Sequence, residues 1–115
     1  MRQAERDNEQ LGIILHYCHR IDEALRCFGD SYDGFVSIPP FQDSCALCLI
    51  QIGEAVNRLS DGFKGAHPAI EWRRIYGMRC HLVHGYEMFD AEIAWDAIRR
   101  QVPSLQSFCL DHFEE

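Results

Sequence analysis

Apolar residues recur at intervals of three and four along most of this chain, and no stretch alternates apolar and polar residues long enough to predict a β-strand. The longest such pattern predicts one amphipathic helix over residues 4–31. Its apolar positions are Leu11, Ile14, Leu15, Cys18, Ile21, Leu25 and Phe28. This periodicity restricts the chain to packed helices, so we expect an all-α fold.

Glycine and proline residues divide the pattern into separate helices. Gly34 and the pair Pro39 and Pro40 cannot continue the first helix, so the segment around them is expected to interrupt it. Apolar periodicity resumes after Asp43, a favourable N-cap residue. It predicts a second helix that ends near residues 60–62.

The second half of the chain predicts three more helices. A third is expected over residues 71–84, with Gly85 as its C-terminal stop. Asp90 is expected to cap a fourth helix, and Pro103 to begin a short fifth. The short connections between these helices predict an antiparallel helical bundle of four to five helices.

Length and composition predict one domain over residues 1–115. The chain is 47% hydrophobic and 25% charged, which is typical of a globular protein with one core. Its first ten residues resemble no export signal, and no apolar run approaches the roughly 20 residues that span a bilayer. We therefore expect a cytoplasmic protein that does not enter a membrane, with its six cysteines reduced.

The charge distribution favours one local anion site. A net charge of −7 argues against general nucleic-acid binding, which depends on cations placed against phosphates. Residues 67–86, however, carry Arg73, Arg74 and Arg79 against the single carboxylate of Glu71, together with three of the six histidines. This stretch is therefore where an anion would bind.

The sequence "MRCHLVHGY", residues 78–86, places an arginine on the apolar face of the third helix. A charge in that position requires a partner or a ligand, and Glu54 is one carboxylate that could pair with Arg79. His84 lies about 140° from Arg79 around an ideal helix, so one straight helix cannot direct both at one phosphate. Either Gly85 ends the helix early and frees His84, or a two-fold dimer joins two copies of the stretch.

A site built in either way would suit RNA cleavage. Guanidinium groups bind phosphate oxygens, and an imidazole titrates near neutral pH. RNA cleavage requires deprotonation of the 2′-hydroxyl, its attack on the neighbouring phosphate and protonation of the leaving oxygen.

The run "IGEAVNRLSDGFKGAHPAIEWRRIYGMRCHLVHGYEMFDAEIAWDAIRRQVPSL", residues 52–105, resembles the HepT-like toxins of the HEPN superfamily. The segments "IGEA", "HPAIEW", "GMR" and "HGY" occur in order and with the expected spacing. The family signature is an arginine, four residues, a histidine, one residue and a tyrosine. It falls on Arg79, His84 and Tyr86.

The resemblance implies an α-helical homodimer that cleaves RNA without a metal or cofactor. Paired motifs at the dimer interface would form the active sites, with Arg79 and His84 as catalytic residues. The family's partner is an MntA-like nucleotidyltransferase antitoxin, which transfers AMP to the motif tyrosine, here Tyr86. Gly53 is expected at a close helix crossing, and Glu54 is a candidate for orienting Arg79.

Two other functions remain open at this point. Family members usually carry asparagine or another polar residue where this chain has Cys80, and a thiol is a poor hydrogen-bond partner. The chain could therefore be a catalytically weak or inactive HEPN dimer that serves only to bind the nucleotidyltransferase. A zinc-dependent structural module is the third alternative, with ligands from two pairs spaced three apart. The pairs are His16 with His19 and Cys45 with Cys48, although cysteines on an apolar face usually pack as small hydrophobic residues.

Overall fold

The computed structural model describes residues 2–84 and 90–115, with only the backbone at His84, and none of these residues forms a β-strand. The prediction of an all-α fold is confirmed. No helix in the described ranges is both long and apolar enough to cross a membrane. The helices are α1 (Gln3–Phe28), α2 (Tyr32–Ser37), α3 (Pro39–Arg58), α4 (Asp61–Ala66), α5 (Trp72–His84), α6 (Ala91–Asp96) and α7 (Val102–His112).

The longer helices pack around one core. α1 contacts α3 and α7, and α3 also contacts α5, so α3 lies between α1 and α5. The apolar positions that defined the predicted helix faces point inward, since burying them stabilises the fold by removing apolar surface from water. The largest fully buried side chains are Phe35, Phe41, Leu11, Ile14, Ile21, Ile52, Leu105 and Val56.

Helix α3 begins earlier than the sequence predicted. Asp43 is not its N-cap but lies inside the helix, which starts at Pro39 after the extended residue Ile38. Proline is favourable in the first turn, because the N–H it lacks would have no partner there and its φ angle is already helical. Pro39 and Pro40 therefore end the preceding segment and also start α3.

Two short helices occupy segments that were expected to be loops. α2 lies within the predicted interruption, where the Oγ of Ser31 accepts a hydrogen bond from the N–H of Gly34 at 3.1 Å. α4 follows α3, and the Oγ of Ser60 accepts from the N–H of Phe63 at 3.1 Å. A serine cap was sufficient to start each helix without an apolar pattern long enough to predict it.

The predicted fourth and fifth helices form one continuous helical stretch. Asp90 caps α6 as expected, its Oδ1 accepting from the N–H groups of Glu92 at 3.0 Å and Ile93 at 3.2 Å. A π-helical segment, Ala97–Gln101, then joins α6 to α7. Pro103 lies in the first turn of α7, where the N–H it lacks would have no partner, so the predicted last helix is present and follows the π-helical segment without a loop.

The buried carboxylate of Asp7 connects α1 to the end of α3. Its Oδ1 accepts from the backbone N–H of Ser60 at 2.8 Å, and its Oδ2 accepts from the Ser60 hydroxyl at 2.7 Å. Asp7 is only 6% exposed, so these bonds replace the water that it loses on folding. The connection between α3 and α4 is thereby fixed against α1.

The closest approach between α3 and α5 is at Gly53, as predicted. A Cβ atom at this position would overlap the Cβ of Arg79 and lie 2.9 Å from its Cγ. The backbone of α3 therefore contacts the stem of the arginine directly. Only glycine permits this contact without moving the two helices apart.

We predict that Gly53→Ala lowers the free energy of unfolding by about 1–3 kcal/mol, because α3 and α5 must separate to accept the methyl group. Gly77→Ala in α5 is the matched control, since a Cβ there meets nothing within 4 Å. The control should leave stability unchanged or raise it by up to about 1 kcal/mol, because alanine favours a helix. Urea unfolding of both variants measures the difference, and equal effects would contradict the close contact.

Candidate active site

Arg79 lies at the edge of the core, where α5 crosses α3. Its neighbours on the inner face of α5, Ile75, Met78 and Leu82, are buried against the other helices. The Arg79 side chain is only 22% exposed. A guanidinium group in this environment has lost much of its water and needs polar partners.

Glu54 is the first of these partners. It follows Gly53 on α3, and its Oε1 forms an ion pair with the Nε of Arg79. The Glu54 side chain is 26% exposed, so water screens the pair less than it screens a surface pair. The expected association of Glu54 with Arg79 is therefore present in the structure.

Two residues of α5 complete the surroundings of the guanidinium. The Nη1 of Arg79 lies 4.0 Å from the Sγ of Cys80, and its Cζ lies 5.8 Å from the ring centroid of Tyr76. The observed polar contacts thus engage Nε and Nη1. A guanidinium has five N–H donors, so donors remain that could bind phosphate oxygens.

The contacts around Arg79 favour its charged form. The Cys80 contact first, and then the carboxylate of Glu54, raise the pKa of Arg79 above its ordinary value, although partial burial opposes them. The pKa of Tyr76 is also raised, mainly by its hydrogen bond to Cys80. At neutral pH the site therefore holds a permanent cation beside a neutral phenol.

The relation between Arg79 and His84 depends on the backbone of α5. This helix is α-helical through His84, so the two positions lie about 140° apart around its axis. Gly85 and the proposed AMP acceptor Tyr86 lie outside the described residues. The described part of α5 therefore does not bring Arg79 and His84 to one point within a single chain.

The residues of the zinc alternative do not come together. Cys45 and Cys48 are buried in the core, whereas His16 and His19 are exposed on α1. Burial, with a smaller effect from Cys48, raises the pKa of Cys45 to about 12, which disfavours the thiolate that zinc binds. The described residues contain no group of three or more side chains placed to hold a metal ion.

Comparisons with known proteins agree on one family. The family model described as ribonuclease HepT-like matches residues 14–111. The chain is 38% identical over 108 residues to "Probable ribonuclease HepT" of Thermococcus cleftensis, covering 92% of this chain and 93% of that protein. It is 33% identical over 93 residues to "Putative RNase TTE0752" of Caldanaerobacter subterraneus subsp. tengcongensis, covering 81% of each. No solved structure matches the chain significantly.

Proposed function

The chain belongs to the HepT-like ribonuclease family, and we propose that it is a cytoplasmic endoribonuclease toxin with active sites at a homodimer interface. RNA is the proposed substrate, and Arg79 and His84 are the proposed catalytic residues. The observation that carries the proposal is the placement of Arg79. It is a largely buried cation, held by one carboxylate, with N–H donors left for a phosphate.

In the proposed reaction, His84 accepts the proton of an RNA 2′-hydroxyl, and the 2′-oxygen then attacks the neighbouring phosphorus. The bond from phosphorus to the 5′-oxygen of the next nucleotide breaks, and the imidazolium returns a proton to that oxygen. The products are a 2′,3′-cyclic phosphate and a 5′-hydroxyl. Arg79 donates hydrogen bonds to the phosphate oxygens as their negative charge increases, so the reaction needs no metal.

The helix geometry supports the proposed dimer. Because the positions of Arg79 and His84 are about 140° apart on α5, a phosphate bound to Arg79 is reached more readily by His84 of the partner subunit. A two-fold axis would create two such sites from two copies of the motif. Glu54 then acts as a positioning residue, since its ion pair holds the guanidinium of Arg79 in one orientation.

Regulation is proposed to act on Tyr86 through an MntA-like nucleotidyltransferase antitoxin. Tyr86 follows His84 by two residues in the sequence. AMP attached there would add a phosphate and a base close to the motif. The modification would occupy the anion site and repel RNA by its charge and volume.

Arg79→Ala and His84→Ala should each reduce RNA cleavage in EDTA to background while the circular dichroism spectrum stays helical. Both residues are proposed to act on the phosphate and on proton transfer. Their loss should therefore abolish cleavage while the helices stay folded. Arg100→Ala is the matched control, because Arg100 is an exposed arginine outside residues 67–86, paired with Asp96, and its loss should leave activity unchanged. An active or unfolded His84→Ala variant would refute its catalytic role.

Cys80 is the residue that favours the second function, a weak or inactive dimer that only binds the nucleotidyltransferase. Its thiol contacts Arg79 at 4.0 Å, where an amide could form a stronger hydrogen bond. We predict that Cys80→Asn preserves or raises the rate of RNA cleavage. A wild-type protein without activity, together with an active Cys80→Asn variant, would favour the second function, whereas a loss of activity would show that the thiol suits this site.

Incubation with the cognate nucleotidyltransferase, ATP and magnesium should add one or more AMP units to the peptide that contains Tyr86 and abolish RNA cleavage. Tyr86→Phe should cleave RNA but resist this inactivation, because it lacks the acceptor oxygen. Peptide mass spectrometry and cleavage assays measure both effects. A label on Tyr76, or enzymatic inactivation of the Tyr86→Phe variant, would contradict the proposed switch.

A further inference from the structure

Tyr76 shares one face of α5 with the arginine of the candidate site. It precedes Arg79 by three residues and Cys80 by four, and residues at these spacings are neighbours on a helix surface. The Cζ of Arg79 lies 5.8 Å from the centroid of the Tyr76 ring. All three side chains are half-buried, so a ligand in solvent can reach this face of α5.

The thiol of Cys80 is a shared partner of the phenol and the guanidinium. The Nη1 of Arg79 lies 4.0 Å from the Sγ of Cys80, and the hydroxyl of Tyr76 is hydrogen-bonded to the same side chain. A sulfur atom is a weak acceptor, whereas a phosphate oxygen is a strong, charged one. A phosphate oxygen beside Cys80 would therefore draw both donors away from the sulfur at little cost.

The protonation state of the phenol suits it for binding an anion. The pKa of Tyr76 is raised above its ordinary value, first by its hydrogen bond to Cys80, although the charge of Arg79 opposes the rise. At neutral pH the hydroxyl therefore keeps its proton and can donate it in a hydrogen bond. Glu54 neutralises part of the positive charge of Arg79, so a neutral donor beside the guanidinium adds stabilisation that the ion pair alone does not supply.

The hydroxyl is the part of Tyr76 that packing does not explain. A phenylalanine ring would make the same contact with the guanidinium of Arg79, because that contact uses the ring. The orientation of Arg79 is already held by Glu54, which pairs with its Nε. The phenol oxygen is therefore available for a ligand.

We propose that the hydroxyl of Tyr76 donates a hydrogen bond to a non-bridging oxygen of the RNA phosphate that Arg79 binds. This inference rests on the proposed ribonuclease function and adds a catalytic residue to it. Negative charge on that oxygen increases as the 2′-oxygen attacks, so the hydrogen bond is stronger in the transition state than in the bound substrate. Tyr76 therefore contributes more to the rate of cleavage than to the affinity for RNA.

Tyr76→Phe tests the proposal, because it keeps the ring and removes only the donor. The single-turnover rate of RNA cleavage in EDTA should fall about 10- to 100-fold, the effect of losing one hydrogen bond to a charged group. Affinity for a fluorescent 2′-O-methyl oligoribonucleotide, which lacks the attacking hydroxyl, should change much less. Tyr17→Phe is the matched control, since Tyr17 is a half-buried tyrosine on α1, separated from α5 by α3, and it should change neither quantity.

Cys80→Ala separates a phosphate contact from a structural role of the phenol. Both Cys80→Ala and Tyr76→Phe lose the hydrogen bond between the two side chains, but only Tyr76→Phe loses the donor. The proposal predicts that Cys80→Ala cleaves RNA much faster than Tyr76→Phe. Equal losses in the two variants would show that the hydroxyl serves only to hold Cys80, and would overturn the proposal.

The same assays distinguish this inference from the ribonuclease proposal. If the wild-type protein cleaves RNA and Tyr76→Phe cleaves it at the same rate, only the role of Tyr76 fails. If Tyr76→Phe loses affinity and rate by the same factor, the hydroxyl binds RNA without favouring the transition state, and its catalytic role is overturned. A wild-type protein that does not cleave RNA would overturn both proposals.

Discussion

The contact between α3 and α5 at Gly53 is the constraint on which the candidate site depends. Because position 53 carries no side chain, the stem of Arg79 lies directly against the backbone of α3. The next residue of α3, Glu54, then meets the guanidinium as an ion pair. A charged side chain can therefore remain at the edge of the core, in one orientation, without an unpaired buried charge. The same contact joins α3 and α5 and places the guanidinium of Arg79 beside Glu54.

An acidic chain can act on RNA if its positive charge is concentrated where the phosphate binds. The net charge is −7, yet Arg79 remains charged at the edge of the core and keeps N–H donors for an anion. Negative charge elsewhere limits nonspecific binding along the RNA, since each extra phosphate would meet repulsion. Glu54 orients Arg79 but also neutralises part of the positive charge beside it.

The sequence predicted those parts of the structure that depend on local pattern. The helix periodicity and the Asp90 cap were correct because each depends on residues within a few turns. The close crossing at Gly53 joins two helices, and it was predicted because glycine permits a close backbone approach. Asp43 was wrong as a cap because proline in the first turn defined the start of α3. The π-helical segment Ala97–Gln101 could not be predicted, since it depends on how complete helices pack together.

Mixed dimers test whether Arg79 and His84 act on one phosphate from two subunits. Arg79→Ala and His84→Ala subunits carrying different tags are expressed together, and dimers with one copy of each are purified. One of the two sites in such a dimer would contain both native residues, so about half of wild-type cleavage activity is expected. Mixed dimers as inactive as either parent would show that both residues act from the same chain and would contradict the composite site.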